Sequence, residues 1–153
     1  WQDEVVSSTR IRACIREGEM EAAAAMLGGP FTLTAPVVHG KGLARTLSWP
    51  TINQLFSPDF TIPRRGVYHS HVLIEGRVWD GVTNVGVKPT LHETNLTMET
   101  YILDYEGDLY GRTLPVSLLR FMRPEARFDS VEALSQRILA DADIVRQDSA
   151  RWR

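Results

Sequence analysis

The chain has 153 residues, 43% of them hydrophobic and 24% charged, and its formal charge is −2. This length suits one globular domain, and the slightly acidic balance argues against a nucleic-acid-binding protein, whose contact face is usually basic. A single cysteine, Cys14, excludes an intrachain disulfide, and in the absence of a long apolar stretch or a signal peptide we expect a cytoplasmic protein without membrane contact.

Residues 7–27 have the pattern of two short helices. Ser7, Ser8 and Thr9 offer N-caps for the first helix, which Gly18 interrupts. The second helix, predicted over residues 19–27, begins with an acidic residue and ends at a Gly-Gly pair.

From residue 31 onward the chain predicts strands, because apolar and β-branched residues occur in short runs between glycines and prolines. Glu75-Gly76 predicts a hairpin turn, and several short strands with turn signals favour a barrel or a sandwich. The two long connections, residues 40–65 and 86–96, are expected to be functional loops. The predicted strands are residues 31–39, 67–75, 77–85, 97–105 and 113–118.

The C-terminal part predicts one further helix. A capping-box-like start at residues 129–132 precedes an apolar stripe with helical spacing. The stripe comprises Val131, Leu134, Ile138, Ala142 and Val145.

A glycine-rich segment, HGKGLAR at residues 39–45, follows the first predicted strand. Glycines let backbone N–H groups approach a ligand closely, and Lys41 and Arg45 add positive charge, so the segment could hold phosphates. It matches neither the P-loop nor the dinucleotide-binding pattern, and taken alone a solvated loop is the simpler interpretation.

Two oxygen-bearing side chains, Thr51 and Asn53, alternate after Pro50. In an extended segment they face the same way, and a hydroxyl beside an amide oxygen can bind a hard cation such as Mg²⁺. An Asx or Ser/Thr turn after the proline is the alternative.

Glu99 lies within a predicted strand, on the face that it shares with Tyr101 and Leu103. A carboxylate in such a strand needs a reason, because a buried charge is costly unless it is paired. One reason is a general base whose pKa is tuned by partial burial. An edge-strand glutamate that reaches solvent and a buried salt bridge are the alternatives.

His69 and His71 share one face of a predicted strand. No Cys, Asp or Glu at ligand spacing accompanies them in the sequence, so we expect a pair on the strand surface and no metal site.

Taken in order, these segments resemble the riboflavin kinase family. That family shows a glycine-rich segment, a Pro-Thr-Ala-Asn motif, a G-V-Y strand, an N-[IV]-G-x-[RK]-P-T segment, a strand glutamate and a G-D-L-Y-G turn. Each motif alone is ambiguous, but the ordered set is specific and covers about residues 30–147. The matching pieces are residues 39–45, PTIN at 50–53, GVY at 66–68, NVGVKPT at 84–90, Glu99, GDLYG at 107–111, and residues 119–130.

The resemblance implies an all-β fold, a six-stranded antiparallel Greek-key barrel with a C-terminal helix and short N-terminal helices. It implies a kinase that phosphorylates the ribityl 5′-hydroxyl of riboflavin to give FMN, with ATP as co-substrate, Mg²⁺ as cofactor and Glu99 as catalytic base. It also implies that Asn84 and Arg123 bind the flavin and that Thr51 and Asn53 bind the metal. The ATP-binding residues that it implies are His39, Gly40, Lys41, Gly42, Arg45 and Thr51.

SSTRIR at residues 7–12 resembles the Ser-Ser-Thr-x-[IL]-Arg motif that ends the FMN adenylyltransferase domain of bifunctional FAD synthetases. The resemblance implies that residues 1–29 are the helical tail of such a domain, which this chain lacks, and that residues 30–153 are the kinase barrel. In the native protein we therefore expect a fused N-terminal FMN adenylyltransferase domain.

Three residues depart from the family's pattern, since Ala44 and Ser48 stand in place of glycines and Ile52 in place of alanine. A Cβ at a position that needs positive φ costs about 1 kcal/mol, which could weaken ATP binding. Two alternative functions stay open: a non-catalytic flavin- or nucleotide-binding regulatory barrel, and an oligonucleotide-binding barrel, against which the acidic balance counts.

Overall fold

Six strands and three α-helices make up most of the described chain, which comprises residues 6–38, 50–57, 59–89 and 94–152 of a computed structural model. A short 3₁₀ helix, Ser149–Trp152, follows the last α-helix. In chain order the elements are α1 (Ser8–Glu17), α2 (Met20–Leu27), β1 (Phe31–Pro36), β2 (Thr51–Leu55), β3 (Gly66–Ile74), β4 (Arg77–Pro89), β5 (Thr94–Ile102), β6 (Thr113–Arg123) and α3 (Val131–Asp148).

The strands form one antiparallel sheet in the order β1-β6-β3-β4-β5-β2. Strands β3, β4 and β5 follow one another as hairpins, and β6 returns to lie beside β3, which is the Greek-key arrangement. The sheet curls until its two edges meet. There, Val38 N donates a 2.7 Å hydrogen bond to Asn53 O at an isolated bridge. The expected six-stranded antiparallel Greek-key fold is therefore confirmed, with edges that meet at this bridge.

The two faces of the curled sheet have different partners. Its inner face encloses the main apolar core, which α1 and α2 extend with residues such as Ile15 and Met20. Its outer face carries a second, smaller core between the sheet and α3, formed around Val82, Tyr101 and Ile138. Because side chains alternate along a strand, neighbouring residues of one strand belong to different cores.

The helices begin and end close to where the sequence predicts. Ser7 Oγ accepts a hydrogen bond from Arg10 N, so the Ser-Ser-Thr motif begins α1, and Gly18 ends this helix with φ 81°. Ser130 caps α3 in the same way by accepting from Ala133 N. Within the described residues, no helix combines the length and the apolar character that a bilayer crossing needs.

The strand predictions need several corrections. Two predicted strands end earlier, since β1 ends at Pro36 and β5 at Ile102. Three other segments contain more strand than predicted. Thr51–Leu55, expected to be part of a long loop, forms β2. The other predicted long connection, residues 86–96, is largely strand, because β4 extends to Pro89 and β5 begins at Thr94. Strand β6 continues to Arg123. In each case pairing with a neighbouring strand extends regular structure beyond the apolar run, whereas the Glu75-Gly76 hairpin turn is confirmed, with φ 51° and 79°.

The glycine of the GVY motif has a packing role. Gly66 begins β3 with φ 151°, a conformation that L side chains rarely adopt. A Cβ at this position would lie 2.5 Å from the Phe121 ring and 2.6 Å from Arg123 O. Gly66 therefore lets β3 approach β6 at the point where Arg123 leaves the sheet.

Candidate active site

A row of polar side chains crosses the outer face of the sheet. Asn53 on β2 pairs with Glu99 on β5, and Glu99 pairs in turn with Asn84 on β4. The row continues through Val67 on β3 to Arg123 on β6. Since paired residues of an antiparallel sheet point to the same face, the strands bring together four site residues that the sequence separates by up to 70 positions.

Glu99 lies at the centre of this row and is partly buried. Tyr101 Oη, two residues along the same strand, donates a 3.1 Å hydrogen bond to Glu99 Oε1. Burial, together with the adjacent Glu99 carboxylate, raises the pKa of Tyr101 well above its usual range, so the phenol remains a donor. Because β5 lies between β2 and β4, the alternative of an edge-strand glutamate is wrong.

Thr51 and Asn53 lie on the same face of β2, one strand away from the glutamate. Thr51 pairs with Tyr101, and Asn53 pairs with Glu99. The alternative of a turn after Pro50 is wrong, because the segment is extended. A hydroxyl and a carboxamide oxygen beside a carboxylate form an oxygen-rich set that fits a hard divalent cation.

A cavity of about 780 Å³ opens next to Glu99, between the outer face of the sheet and the N-terminal half of α3. Val82, Asn84 and Tyr101 form its floor, and Leu134 and Ile138 line it from the helix. The size is that of a small-molecule site, and the lining combines apolar walls with a few polar groups. The carboxamide oxygen of Asn84 is buried and has no hydrogen-bond partner among the described residues, so a ligand donor would satisfy it.

Arg123 borders the same cavity and is fixed by α3. Its Nε and Nη2 donate to the two carboxylate oxygens of Asp141 at 3.1 and 2.7 Å. The Asp141 side chain is only 1% exposed, so this bidentate pair is largely removed from solvent. The pair attaches the helix that covers the cavity to the last strand of the sheet.

The sequence predictions anticipated part of this arrangement. Thr51, Asn53, Asn84, Glu99 and Arg123 all lie along one side of the sheet, near or in the cavity. Five predicted ATP-binding residues lie outside the described part of the chain, namely His39, Gly40, Lys41, Gly42 and Arg45.

Sequence reasoning missed Asp141. The sequence did contain a signal for it. Asp141 lies on the helix face that carries Ile138 and Ala142, and a charge on an apolar stripe needs a partner.

Sequence comparison identifies relatives of this chain. The riboflavin kinase family matches residues 27–148, and members of that family use ATP and typically a divalent metal. The chain is 40% identical over 142 residues to the bifunctional riboflavin kinase/FMN adenylyltransferase of Pseudomonas fluorescens, a match that covers 92% of this chain and 45% of that protein. The chain thus spans less than half the length of the curated relatives that it matches.

Two solved structures share the fold. One, described as a macrolide-efflux protein from Streptococcus pneumoniae, has a TM-score of 0.86 at 33% identity and covers 95% of this chain and 48% of its own. Riboflavin kinase from Trypanosoma brucei has a TM-score of 0.54 at 24% identity, with 77% and 78% covered, and shows likeness of fold alone. Because the family match extends over most of its length, from β1 to α3, this chain belongs to the riboflavin kinase family.

Proposed function

We propose that this chain transfers the terminal phosphate of ATP to the ribityl 5′-hydroxyl of riboflavin and so produces FMN. The observation that carries the proposal is the Asn53–Glu99–Asn84 row, which joins a group of oxygen-bearing side chains to a partly apolar cavity. Phosphoryl transfer needs this combination, because positioning and electrostatic stabilisation provide most of its catalysis.

Glu99 is the proposed general base. It would accept the proton of the 5′-hydroxyl as the oxygen bonds to the terminal phosphorus of ATP and ADP departs, and Tyr101 would hold the carboxylate in position through its hydrogen bond. The flavin ring would lie against Val82, Leu134 and Ile138 in the cavity. Within this arrangement Asn84 would supply a polar contact at the floor of the cavity, and Arg123 one at its border.

Mg²⁺ is the proposed metal, and Thr51 and Asn53 are the residues that would hold it. When bound, Mg²⁺ neutralises phosphate charge during the transfer. The phosphates themselves are assigned to His39, Gly40, Lys41, Gly42 and Arg45 together with Thr51, on the strength of the glycine-rich sequence and its positive charge.

The native protein is proposed to be bifunctional and cytoplasmic. The curated relatives are named as riboflavin kinase/FMN adenylyltransferases, and this chain covers 45% of their length. We assign residues 30–153 to the kinase and residues 1–29 to the tail of an adenylyltransferase domain, because the latter carry the Ser-Ser-Thr motif that caps α1.

Incubation of the purified chain with riboflavin, ATP and Mg²⁺, followed by chromatography, tests the function. We expect FMN to accumulate and FAD to be absent, since only the kinase motifs are complete. Flavin binding without FMN would support the non-catalytic alternative, and formation of FAD would overturn the domain assignment.

The metal assignment has its own test. Excess EDTA should abolish turnover, and Thr51→Ala and Asn53→Ala should each raise the Mg²⁺ concentration needed for half-maximal rate by about tenfold. If both variants keep the metal dependence of the unmodified chain, the two residues are not the ligands.

A further inference from the structure

A second cluster of ligand-type side chains lies on the outer face of the β3–β4 hairpin. His71 on β3 pairs directly with Asp80 on β4, and His69 lies two residues along β3 on the same face. The expectation of a histidine pair on the strand surface is therefore wrong, because the His69 side chain is fully buried and a carboxylate joins the pair from the next strand. The three side chains stand apart from the Asn53–Glu99–Asn84 row.

The donor atoms of this cluster converge on one point. His69 Nε2 is 3.0 Å from Asp80 Oδ1, and His71 Nε2 is 3.3 Å from the same oxygen. The three ligand atoms lie within 4.8 Å of one another. Tetrahedral Zn²⁺ with bonds of about 2.0–2.2 Å separates its donors by roughly 3.3–3.5 Å, so small side-chain movements would suffice for coordination.

Hydrogen bonds behind the cluster orient the ligands as they would behind a metal. His69 Nδ1 lies 3.0 Å from Asp148 Oδ2, which also accepts a 2.9 Å hydrogen bond from Arg120 Nε. A proton on Nδ1 directs the lone pair of Nε2 toward His71 and Asp80. The second oxygen of Asp80 accepts from Ser149 Oγ at 2.8 Å. Carboxylate–histidine and hydroxyl–carboxylate supports of this kind are typical of metal ligands.

The cluster is also accessible in the way that a metal site requires. The side chains of His71 and Asp80 are 21% and 19% exposed, which leaves a path for an ion and for water as a fourth ligand.

We propose that His69, His71 and Asp80 bind a transition-metal ion of the Zn²⁺ class, at a site separate from the Mg²⁺ that acts with ATP. Two imidazoles favour Zn²⁺, Co²⁺ or Ni²⁺ over Mg²⁺, which prefers oxygen ligands. Because Asp148 and Ser149 belong to the end of α3 and the 3₁₀ helix after it, the ion would join the C-terminal end of this segment to the β3–β4 hairpin. The role of the ion is structural: it fixes the C-terminal end of α3, the helix whose N-terminal half lines the cavity.

The test uses the full chain, freed of metal with a chelator and without nucleotide. Co²⁺ is titrated and followed by its visible d–d absorption, and Zn²⁺ is titrated by calorimetry. We expect one ion per chain, and an increase in Tm of about 5 °C or more at a hundredfold excess over Kd. Absence of saturable binding below about 0.1 mM would overturn the proposal and leave a purely hydrogen-bonded network, in which His69 bridges Asp80 and Asp148.

Two variants and one control locate the ion. His71→Gln and Asp80→Asn should each weaken Co²⁺ binding at least tenfold while the far-UV circular dichroism is unchanged. His71 is partly exposed, so His71→Gln keeps the test valid if the other variant unfolds. A His92→Gln variant changes a histidine outside the cluster and should bind as the unmodified chain does. Loss of binding in this control alone would refute the assignment.

Discussion

Among single side chains, Glu99 is the one whose substitution should reduce turnover most. Glu99→Gln keeps the shape and one hydrogen-bond acceptor but cannot take a proton at neutral pH. Loss of a positioned base costs about 10²–10⁴ in rate, and we expect the lower end, about 3 kcal/mol of barrier, because a loose phosphoryl-transfer transition state depends less on the base. Steady-state FMN formation measures the rate, and fluorescence titration measures riboflavin affinity.

Glu106→Gln is the matched control for this variant, since Glu106 is exposed and lies outside the cavity. It should turn over normally. A Glu99→Gln variant that works within a few-fold of the unmodified rate would remove Glu99 from the mechanism, whereas one that unfolds would point to a structural carboxylate.

Ile52 shows how one departure from the family pattern acts. Although it lies between Thr51 and Asn53, its side chain points into the inner core and is 2% exposed. Ile52→Ala should therefore lower the free energy of unfolding by about 2–4 kcal/mol, because it leaves a cavity. Leu55→Ala, on the same strand but 48% exposed, should cost less than about 1 kcal/mol. Chemical denaturation compares the two variants, and equal losses would contradict the inward orientation.

Among the elements, α3 is held over the cavity in its N-terminal half by the buried Arg123–Asp141 ion pair. Asp141→Asn would leave Arg123, whose side chain is only 15% exposed, without its carboxylate partner. We expect a loss of about 3 kcal/mol in unfolding free energy, together with a higher KM for riboflavin, because removal of one partner of a buried pair leaves an uncompensated charge.

Asp104→Asn provides the control for that substitution. Asp104 pairs with Arg146 at 3.0 Å on the surface and has φ 62°, a conformation that asparagine tolerates. The loss should be less than about 1 kcal/mol, as for other exposed pairs. Similar losses in both variants would show that α3 does not rely on the Arg123–Asp141 pair.

The elements differ in how far they could be predicted from sequence. Helices α1, α2 and α3 carry caps and periodic apolar residues, which are local signals. Strand β2 has the sequence TINQL, in which apolar and polar residues do not alternate, since Gln54 points inward and donates to Ala35 O and Leu114 O. What makes it a strand is pairing with β5, which no local pattern contains.

At the scale of the whole molecule, two buried tyrosines should make the free energy of unfolding fall as the pH becomes alkaline. Burial raises the pKa of Tyr68, and burial with the nearby Glu99 raises the pKa of Tyr101, in both cases well above the unfolded value of about 10. Both phenols are neutral in the folded chain, so unfolding releases protons above pH 10. Their contribution is complete below about pH 10 and declines above it by up to about 1.4 kcal/mol per pH unit for each tyrosine.

Denaturant unfolding between pH 8 and 11 measures this dependence. Tyr101→Phe should make the decline of unfolding free energy above pH 10 less steep, by about the contribution of one tyrosine. Tyr110→Phe, at a residue that is 55% exposed, should leave this decline unchanged. An unaltered slope in Tyr101→Phe would show that this phenol ionises as easily in the folded chain as in the unfolded one.

The whole arrangement could be predicted only through the order of its motifs. That order predicted the six-stranded fold, which the structure shows, and it is the basis on which Glu99, Thr51 and Asn53 are proposed as site residues. The contact of Asp80 with His69 and His71 depends on strand register, which is a property of the folded sheet. The same is true of the alignment of Asn53, Glu99 and Asn84.

The pairing of the first strand with the last has a consequence for synthesis on the ribosome. Thr32 on β1 contacts Ser117 on β6, 85 residues later in the chain. At about 5–20 residues per second, β1 waits roughly 4–17 seconds for its ladder partner after it has been translated. During that time the edge of β1 that pairs with β6 is uncovered, as are the side chains of Leu33 and Ala35. Nascent chains that stall before residue 113 are therefore expected to bind chaperones and to be prone to aggregate.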